Sequence, residues 1–303
     1  MRIVGFPGQG AQTIGMGAEL FGRYPELVAC ADEVLGWSVE QRCCEDPGGL
    51  LARTDFCQPA LYVVETLGLL QAAADGAEEV DAVLGHSVGE YAALTAAGSL
   101  DFETGLRLVH RRGQLMAAAG GGSMAALLSL ELAEVQGLLA SHGLHALDIA
   151  LHNAPGQYAV AGPDAEVDRL VDIAFDLDVR CVRLNVSGPF HSRYMSVAAT
   201  EFADYLGTVP LHDPGLTVLA NASGSPVRSA AEVARVLVAQ MVSPVLFRQS
   251  VEWLLAEAAG RGERFEFVEI GPGSTLTGMV GRIERAAAAG VSERLRSRGM
   301  ATR

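Results

Sequence analysis

The sequence contains no lysine, so all 22 of its basic side chains are arginine. Chemistry that needs a lysine amine is therefore excluded: a P-loop phosphate site, a pyridoxal Schiff base, a kinase ATP site and a Ser-x-x-Lys nucleophile pair. The formal net charge of -14 also disfavours a nucleic acid partner, which requires positive charge on the binding face. We expect any anionic ligand to meet arginine side chains.

Cysteine is scarce, and long apolar runs are missing. The five cysteines include no Cys-x-x-Cys pair, which argues against a disulfide framework or a zinc knuckle. Apolar runs are interrupted well before the ~20 residues that a membrane-spanning helix requires. The first residues form a strand-like run, so we expect no secretion signal. These features predict a cytoplasmic protein with no membrane partner.

Strand-like and helical stretches alternate along the chain. Apolar runs predict strands at residues 3–6, 80–84, 124–129, 147–151, 158–161, 180–186, 216–219 and 265–270. With helical patterns between them, this alternation predicts an α/β fold with a largely parallel sheet. The order strand, helix, strand, strand, helix, strand within residues 123–186 is typical of a ferredoxin-like module. We therefore predict a ferredoxin-like subdomain at 123–186, inserted into a large domain formed by residues 1–122 and 187–303.

A Gly-x-Ser-x-Gly motif at residues 85–89 joins a buried strand to a helical run. This context is typical of a nucleophile elbow, where the serine occupies a strained turn and the glycines avoid collisions with nearby backbone. The free N–H groups of the following helix favour negative charge beside Ser87. We predict that Ser87 is a nucleophile in an α/β-hydrolase-like domain. The alternative is a serine that only caps the helix.

A serine nucleophile needs a base, and few of the seven histidines are candidates. An ordinary esterase or lipase has its histidine late in the chain, after the acidic residue. No histidine follows His212, so that arrangement is disfavoured. His191 lies in a loop where the chain re-enters the predicted large domain, and it is the candidate base.

A second glycine-rich turn, Gly8-Gln9-Gly10, follows the first predicted strand. A dinucleotide-binding loop would need a third glycine at position 13, which is Thr13, so that interpretation fails. The turn either lends a backbone N–H to an oxyanion or is a simple tight turn.

Six motifs resemble, in the same order, those of malonyl-CoA:acyl carrier protein transacylases: residues 8–12, 54–61, 85–91, 112–116, 190–192 and 269–273. The resemblance spans nearly the whole chain. It is greatest to the free-standing acyltransferases of trans-acyltransferase polyketide synthases. Cys57 stands where that pattern usually has threonine, a conservative departure.

The resemblance implies roles for the Gly-x-Ser-x-Gly motif, the glycine-rich turn after the first strand and the loop histidine. Ser87 matches the family's nucleophile and His191 its base, in a dyad whose imidazole is oriented by a backbone carbonyl. Gln240 matches the position beside that histidine. The backbone N–H groups of Gln9 and Val88 correspond to the oxyanion hole.

The resemblance also implies an acyl pocket. Arg112 corresponds to the arginine that holds the free carboxylate of malonyl, and its planar fork suits bidentate binding. Gln58 and Met116 are expected to shape the pocket. Phe190, directly before His191, accompanies malonyl selectivity in the family, because its ring would fill the space of an α-methyl branch; the alternative is that Phe190 is only part of the core.

The implied reaction is a ping-pong transfer from malonyl-CoA to the phosphopantetheine thiol of an acyl carrier protein. No metal or redox cofactor is implied, and the pathway is either polyketide or fatty acid biosynthesis. Three alternatives stay open: a thioester hydrolase acting on carrier proteins, a carrier-to-carrier transferase of a larger acyl group, and a catalytically idle carrier-binding protein. Arg112 argues against the first two, since a buried unpaired guanidinium is costly without a carboxylate to bind. The intact Ser87 and His191 argue against the third.

Overall fold

The computed structural model describes the backbone of residues 1–300 and the side chains of residues 1–289. The basic segment 294–303, for which the sequence predicts a frayed and solvated tail, lies outside the described side chains. Among the described residues, no helix has both the length and the apolar character to cross a lipid bilayer.

Strands and helices alternate through most of the chain. The strands are β1 (Arg2–Phe6), β2 (Ala82–Gly85), β3 (Ser123–Leu128), β4 (Asp148–Ala154), β5 (Gln157–Gly162), β6 (Cys181–Arg183), β7 (Thr217–Ala220), β8 (Ser225–Val227) and β9 (Glu266–Glu269). The helices are α1 (Ala18–Phe21), α2 (Pro25–Leu35), α3 (Val39–Cys44), α4 (Thr54–Ala74), α5 (Gly89–Ala96), α6 (Phe102–Ala119), α7 (Leu132–Ser141), α8 (Asp164–Asp176), α9 (Ser196–Leu206), α10 (Ala230–Val242), α11 (Phe247–Arg261) and α12 (Thr275–Met300).

The larger sheet has five strands in the order β8-β7-β2-β1-β9. The pairs β7/β2, β2/β1 and β1/β9 are parallel, and β8 is antiparallel at one edge. Parallel strands that are covered on both faces need continuous apolar sequence, and β1 and β2 are buried along nearly their whole length. Because the carboxyl ends of parallel strands share one edge, the loops after β1, β2 and β7 come together there.

Alternate residues of these strands supply two cores, one on each face of the sheet. Val4 and Val83 belong to the apolar cluster that includes residues of α4, α5 and α6. Their neighbours Ile3 and Leu84 belong to the cluster with α11 and α12. The two-residue period of a strand directs successive side chains to opposite faces, so the sheet is covered by helices on both sides.

The smaller sheet has four antiparallel strands in the order β4-β5-β3-β6. Along the chain its elements run β3, α7, β4, β5, α8, β6, which is the ferredoxin-like order that the sequence predicts. The strands occupy residues 123–183; the domain bounds 1–122, 123–186 and 187–303 stay a prediction.

The two sheets are joined at β4. Leu151 forms a parallel bridge with Val245, in the segment between α10 and α11. The backbone N–H of Val245 donates to Ala150 O at 2.9 Å, and the N–H of His152 donates to Val245 O at 2.9 Å. The next residue, Leu246, donates its N–H to Asn221 O at 2.8 Å, directly after β7. This segment therefore connects the smaller sheet with the carboxyl end of β7 in the larger one.

Two strands differ from the sequence prediction. The prediction omits β8, a three-residue edge strand that contains Pro226; proline lacks the N–H of a ladder and is confined to edges. The strand predicted at 180–186 ends at Arg183. Its apolar residues Leu184 and Val186 line a cavity instead of extending the strand.

The contact between β1 and α5 gives a stability prediction. A Cβ on Gly89 would lie 2.1 Å from the backbone oxygen of Phe6, so Gly89→Ala is expected to lower the free energy of unfolding by about 1–3 kcal/mol. Gly137→Ala is the matched control, because it lies on exposed helix α7 with nothing near the added Cβ, and it should stabilise by about 0.5–1 kcal/mol. Urea unfolding measures both; an unchanged value for Gly89→Ala would contradict the close approach.

Candidate active site

Ser87 occupies a strained turn between β2 and α5. Its φ is 54°, in the left-handed region that non-glycine residues rarely adopt. A Cβ on Gly85 would lie 1.9 Å from the carbonyl carbon of Gly89, so only glycine permits this crossing. The Asn221 side chain bridges the turn: its Oδ1 accepts from the Ser87 N–H at 2.6 Å, and its Nδ2 donates to Gly85 O at 2.7 Å. The predicted elbow is present, and an asparagine after β7 holds it.

His191 lies beside Ser87 and is 3% exposed. Its Nδ1 is 2.8 Å from the backbone oxygen of Gln240, and its Nε2 is 2.8 Å from Ser87 Oγ. Because a carbonyl only accepts, Nδ1 carries the proton and Nε2 accepts from the serine hydroxyl. Burial, and then the charge of Arg112, lower the pKa of His191 to about 3, although the Gln240 bond opposes them. The imidazole is therefore neutral, as a general base must be.

Arg112 extends from α6 to the same hydroxyl and is completely buried. Its guanidinium donates to Gln58 Oε1 at 2.7 Å, to Gln240 Oε1 at 2.8 Å and to Ser87 Oγ at 3.0 Å. It also lies over the Tyr91 ring, 5.7 Å from its centroid. Among the described side chains, no carboxylate lies within salt-bridge distance of it, and its Nε has no hydrogen-bond partner. A buried cation surrounded by neutral acceptors lies directly beside the Ser87 hydroxyl.

Gln240, on α10, connects these groups. Its side-chain oxygen accepts from Arg112, while its Nε2 donates to Glu90 Oε2 at 2.6 Å and to Ser87 O at 3.0 Å. Glu90 is 1% exposed, and its Oε2 also accepts from the backbone N–H of Asn221 at 3.2 Å. Burial raises the pKa of Glu90 to about 7, against the hydrogen bonds from Gln240 and Asn221 and the charge of Arg112.

The predicted oxyanion donors lie in the loops after β1 and β2. Val88 is buried immediately before α5, and Gln9 is half-buried in the loop after β1. The Gln9 side chain donates to Thr54 Oγ1 at 3.2 Å, which fixes the loop against α4. Among the hydrogen bonds of the described residues, none is donated by the backbone N–H of Gln9 or Val88. Both N–H groups are thus available to an acceptor.

A cavity of about 70 Å³ lies beside Ser87 and His191, between the two sheets. Three further residues of the predicted pocket line it, Gln58, Met116 and Phe190. Gln58 Nε2 lies 3.5 Å from Met116 Sδ, so the amide is held between the thioether and Arg112. The smaller sheet and its last connection supply apolar lining from Met124, Leu151, Leu184 and Val186. Within the described residues, no three His, Cys, Asp or Glu side chains are grouped as metal ligands.

Comparison with known proteins gives this arrangement a family. A sequence model described as the acyl transferase domain matches residues 5–295. The chain belongs to the acyl transferase domain family. The family resemblance in the motifs is thereby confirmed.

Relatives of this acyl transferase include proteins named for malonyl transfer. The chain is 43% identical, over 92% of its length and 95% of the other's, to the polyketide biosynthesis malonyl CoA-acyl carrier protein transacylase BaeC of Bacillus velezensis. It superimposes on a malonyl CoA-acyl carrier protein transacylase from Burkholderia pseudomallei with a TM-score of 0.91 and 44% identity, covering 94% of this chain and 98% of that one. A malonyl-transacylase in complex with its type II polyketide synthase acyl-carrier protein gives a TM-score of 0.86 and 31% identity, covering 93% and 92%.

Sequence reasoning missed two residues of the acyl transferase site, Asn221 and Glu90. Asn221 follows β7 directly, at the edge of the sheet where β2 ends, so a polar residue after a buried strand was the available signal. Glu90 gave no such signal, because an acidic residue in the first turn of a helix ordinarily faces solvent and interacts with the helix dipole.

The environment of His191 in this acyl transferase predicts an unusual titration. With its pKa lowered to about 3 by burial and by Arg112, the ring should stay neutral from pH 5 to pH 8. NMR of ring-labelled histidine, with His191 assigned by the signal lost in His191→Ala, measures this directly. Free imidazole in the sample confirms the pH scale. A His191 signal that moves with a midpoint near 6.5 would contradict the buried geometry.

Proposed function

We propose that this acyl transferase moves a malonyl group from malonyl-CoA to the phosphopantetheine thiol of an acyl carrier protein, through an ester on Ser87. The observation that carries the proposal is the buried Arg112 guanidinium, 3.0 Å from Ser87 Oγ and without an anionic partner among the described side chains. The name of its relative BaeC, a polyketide biosynthesis malonyl CoA-acyl carrier protein transacylase, supports both the acyl group and the pathway.

The guanidinium defines the acyl group because burying an unpaired charge is costly. An acyl chain that ends in a carboxylate would bring the missing anion to Arg112 while its thioester carbonyl lies at Ser87. A planar guanidinium binds a carboxylate through two parallel N–H groups, and such charge-assisted bonds are strong. An acetyl group or a long alkyl chain would leave the cation unpaired.

The first half of the reaction forms the malonyl ester. Ser87 Oγ attacks the thioester carbonyl as its proton passes to His191 Nε2, and the Gln240 carbonyl stabilises the imidazolium through Nδ1–H. The carbonyl oxygen becomes an oxyanion, for which the N–H groups of Gln9 and Val88 are the proposed donors. As the C–S bond breaks, the imidazolium returns the proton to the departing coenzyme A thiolate.

The second half transfers the malonyl group to the carrier. His191, neutral again, takes the proton of the phosphopantetheine thiol as the sulfur attacks the ester carbonyl. The C–O bond to Ser87 breaks, and the imidazolium returns a proton to the serine oxygen. The solved structure of a malonyl-transacylase in complex with its acyl-carrier protein supports such a partner. The chemistry needs no metal or redox cofactor, and we propose none.

We propose that the pocket favours malonyl over methylmalonyl. Phe190 is 5% exposed and lines the cavity beside His191. Its ring limits the space on that side, and overpacking of an apolar site costs about 1–3 kcal/mol. Met116 and Gln58 line the same cavity.

The site also bears on the three alternatives. The Ser87–His191 contact of 2.8 Å argues against an idle carrier-binding protein. The uncompensated Arg112 argues against a hydrolase or a carrier-to-carrier transferase that handles uncharged acyl groups. We further propose a cytoplasmic location, which is supported by the five free cysteines, since thiols persist in reducing compartments.

Intact-protein mass spectrometry tests the proposed function. Wild type mixed with malonyl-CoA should gain a malonyl mass and lose it when an acyl carrier protein is added. Ser87→Ala should gain none, whereas the control Ser99→Ala, at another buried serine, should load normally. His191→Ala should load more slowly by a factor on the order of 100. A malonyl adduct on Ser87→Ala would exclude Ser87 as the nucleophile.

Competition between acyl-CoA substrates tests Arg112. Arg112→Ala should reduce malonyl transfer by about 2–4 kcal/mol, roughly 30- to 1000-fold, and leave acetyl transfer nearly unchanged, because only malonyl offers a carboxylate. Arg111→Ala removes an adjacent arginine that is half-buried and paired with Glu201, and it should change neither rate. Equal losses for both substrates would show that Arg112 supports the fold and not the carboxylate. In wild type, methylmalonyl-CoA should compete poorly with malonyl-CoA.

A further inference from the structure

Ser87, His191 and Arg112 lie on three separate segments of the chain. The buried carboxyl group of Glu90 accepts hydrogen bonds from Gln240 and Asn221, the two residues that position them. Glu90, on α5, accepts two hydrogen bonds at a single oxygen, from Gln240 Nε2 at 2.6 Å and from the backbone N–H of Asn221 at 3.2 Å. Its other oxygen, Oε1, has no partner among the described residues. Glu90 touches neither the Ser87 hydroxyl nor the imidazole, so any effect on chemistry passes through its two donors.

Through Gln240, Glu90 influences the positions of His191 and Arg112. A side-chain amide has one donor end and one acceptor end. Because Glu90 accepts from Nε2, the Gln240 oxygen faces Arg112 and accepts from it at 2.8 Å. The backbone oxygen of the same residue accepts from His191 Nδ1. A Gln240 side chain that turned round would direct its NH₂ group at the guanidinium and leave Glu90 without this donor.

Through Asn221, Glu90 influences the conformation of the turn that carries Ser87. Glu90 fixes the backbone of Asn221, whose side chain bonds the Ser87 N–H and Gly85 O on either side of the strained turn. A residue with φ of 54° persists only where its surroundings determine it. The Asn221 amide is such a support, and its position depends on the backbone that Glu90 holds.

We propose that Glu90 is a positioning residue whose single accepting oxygen, through Gln240 and Asn221, keeps His191, Arg112 and the Ser87 turn in their reactive arrangement. The proposal rests on the proposed acyl transfer at Ser87, and it assigns to Glu90 a requirement for position and not for charge. A displacement of about 1 Å in such a site costs on the order of 100-fold in rate.

Two conservative substitutions separate position from charge. Glu90→Gln keeps the length of the side chain and one oxygen, which can still accept the bonds from Gln240 and Asn221. Its NH₂ group would take the place of Oε1, which has no hydrogen-bond partner among the described residues. Glu90→Asp keeps the charge but withdraws the carboxylate by one methylene, out of reach of Gln240 and Asn221. We expect Glu90→Gln to stay within about 5-fold of the wild-type rate of Ser87 acylation and Glu90→Asp to lose on the order of 100-fold.

The rate is measured in single turnovers by quench and intact-protein mass spectrometry, with thermal unfolding of each variant as a check of folding. The matched controls are Glu65→Gln and Glu65→Asp, because Glu65 is also fully buried and neither of its oxygens has a partner among the described residues. Both should acylate at the wild-type rate. A purely structural role for Glu90 would lower the unfolding temperature without separating the Gln and Asp rates.

Two acyl donors, malonyl-CoA and p-nitrophenyl acetate, distinguish the two proposals. If wild-type Ser87 reacts with the ester and not with malonyl-CoA, the proposed function fails, and the Glu90 comparison is still read from the ester. A rate kept by Glu90→Asp and lost by Glu90→Gln would show a requirement for charge and overturn the positioning role. Wild-type rates in both variants, or equal losses in both, would also overturn it.

Discussion

The buried guanidinium of Arg112, which has no carboxylate partner among the described side chains, sets the arrangement around Ser87. Arg112 is held by three neutral oxygens, from Gln58 on α4, Gln240 on α10 and Ser87 itself. Desolvating this charge is costly, and neutral acceptors compensate only part of the cost. The three oxygens must therefore converge, which fixes two helices and the nucleophile turn relative to α6. The same constraint leaves a positive charge that the carboxylate of the proposed malonyl substrate would compensate.

Ser87 and His191 are two of the five non-glycine residues with positive φ in the described part of the chain. Ser87 and His191 both have φ near 55°, at 54° and 56° respectively, and each such conformation costs about 1–3 kcal/mol. The strain is tolerated because rigid elements surround it: β1, β2 and α5 approach so closely that Gly85 and Gly89 admit no side chain. The Ser87 N–H donates to Asn221 Oδ1, and His191 Nδ1 donates to Gln240 O, and these two bonds hold the residues in place.

Much of this site follows from local sequence. The glycines around Ser87 predict a nucleophile elbow, and the absence of a histidine after His212 leaves the 187–192 loop as the source of the base. The order of strands and helices in residues 123–183 predicts a ferredoxin-like pattern. The local sequence pattern does not show which charged side chains are buried. An arginine or glutamate on an amphipathic helix is ordinarily solvated, and only the packing of α5, α6 and α10 places Arg112 and Glu90 inside. Strand β6 stops early for a similar reason, because Leu184 and Val186 pack toward the cavity.

The charge of Arg112 lowers the basicity of His191, in addition to its proposed role in binding the substrate carboxylate. After burial, it is the strongest influence that keeps the pKa of His191 low, so the imidazole beside this uncompensated guanidinium is a weak base. A carboxylate bound to the guanidinium would cancel much of that field and make the imidazole more basic as the acyl group settles beside it. Discrimination between acyl groups would then affect the rate of reaction as well as the free energy of binding. With an uncharged acyl group in the pocket, the pKa of His191 would stay low and the imidazole would remain a weak base.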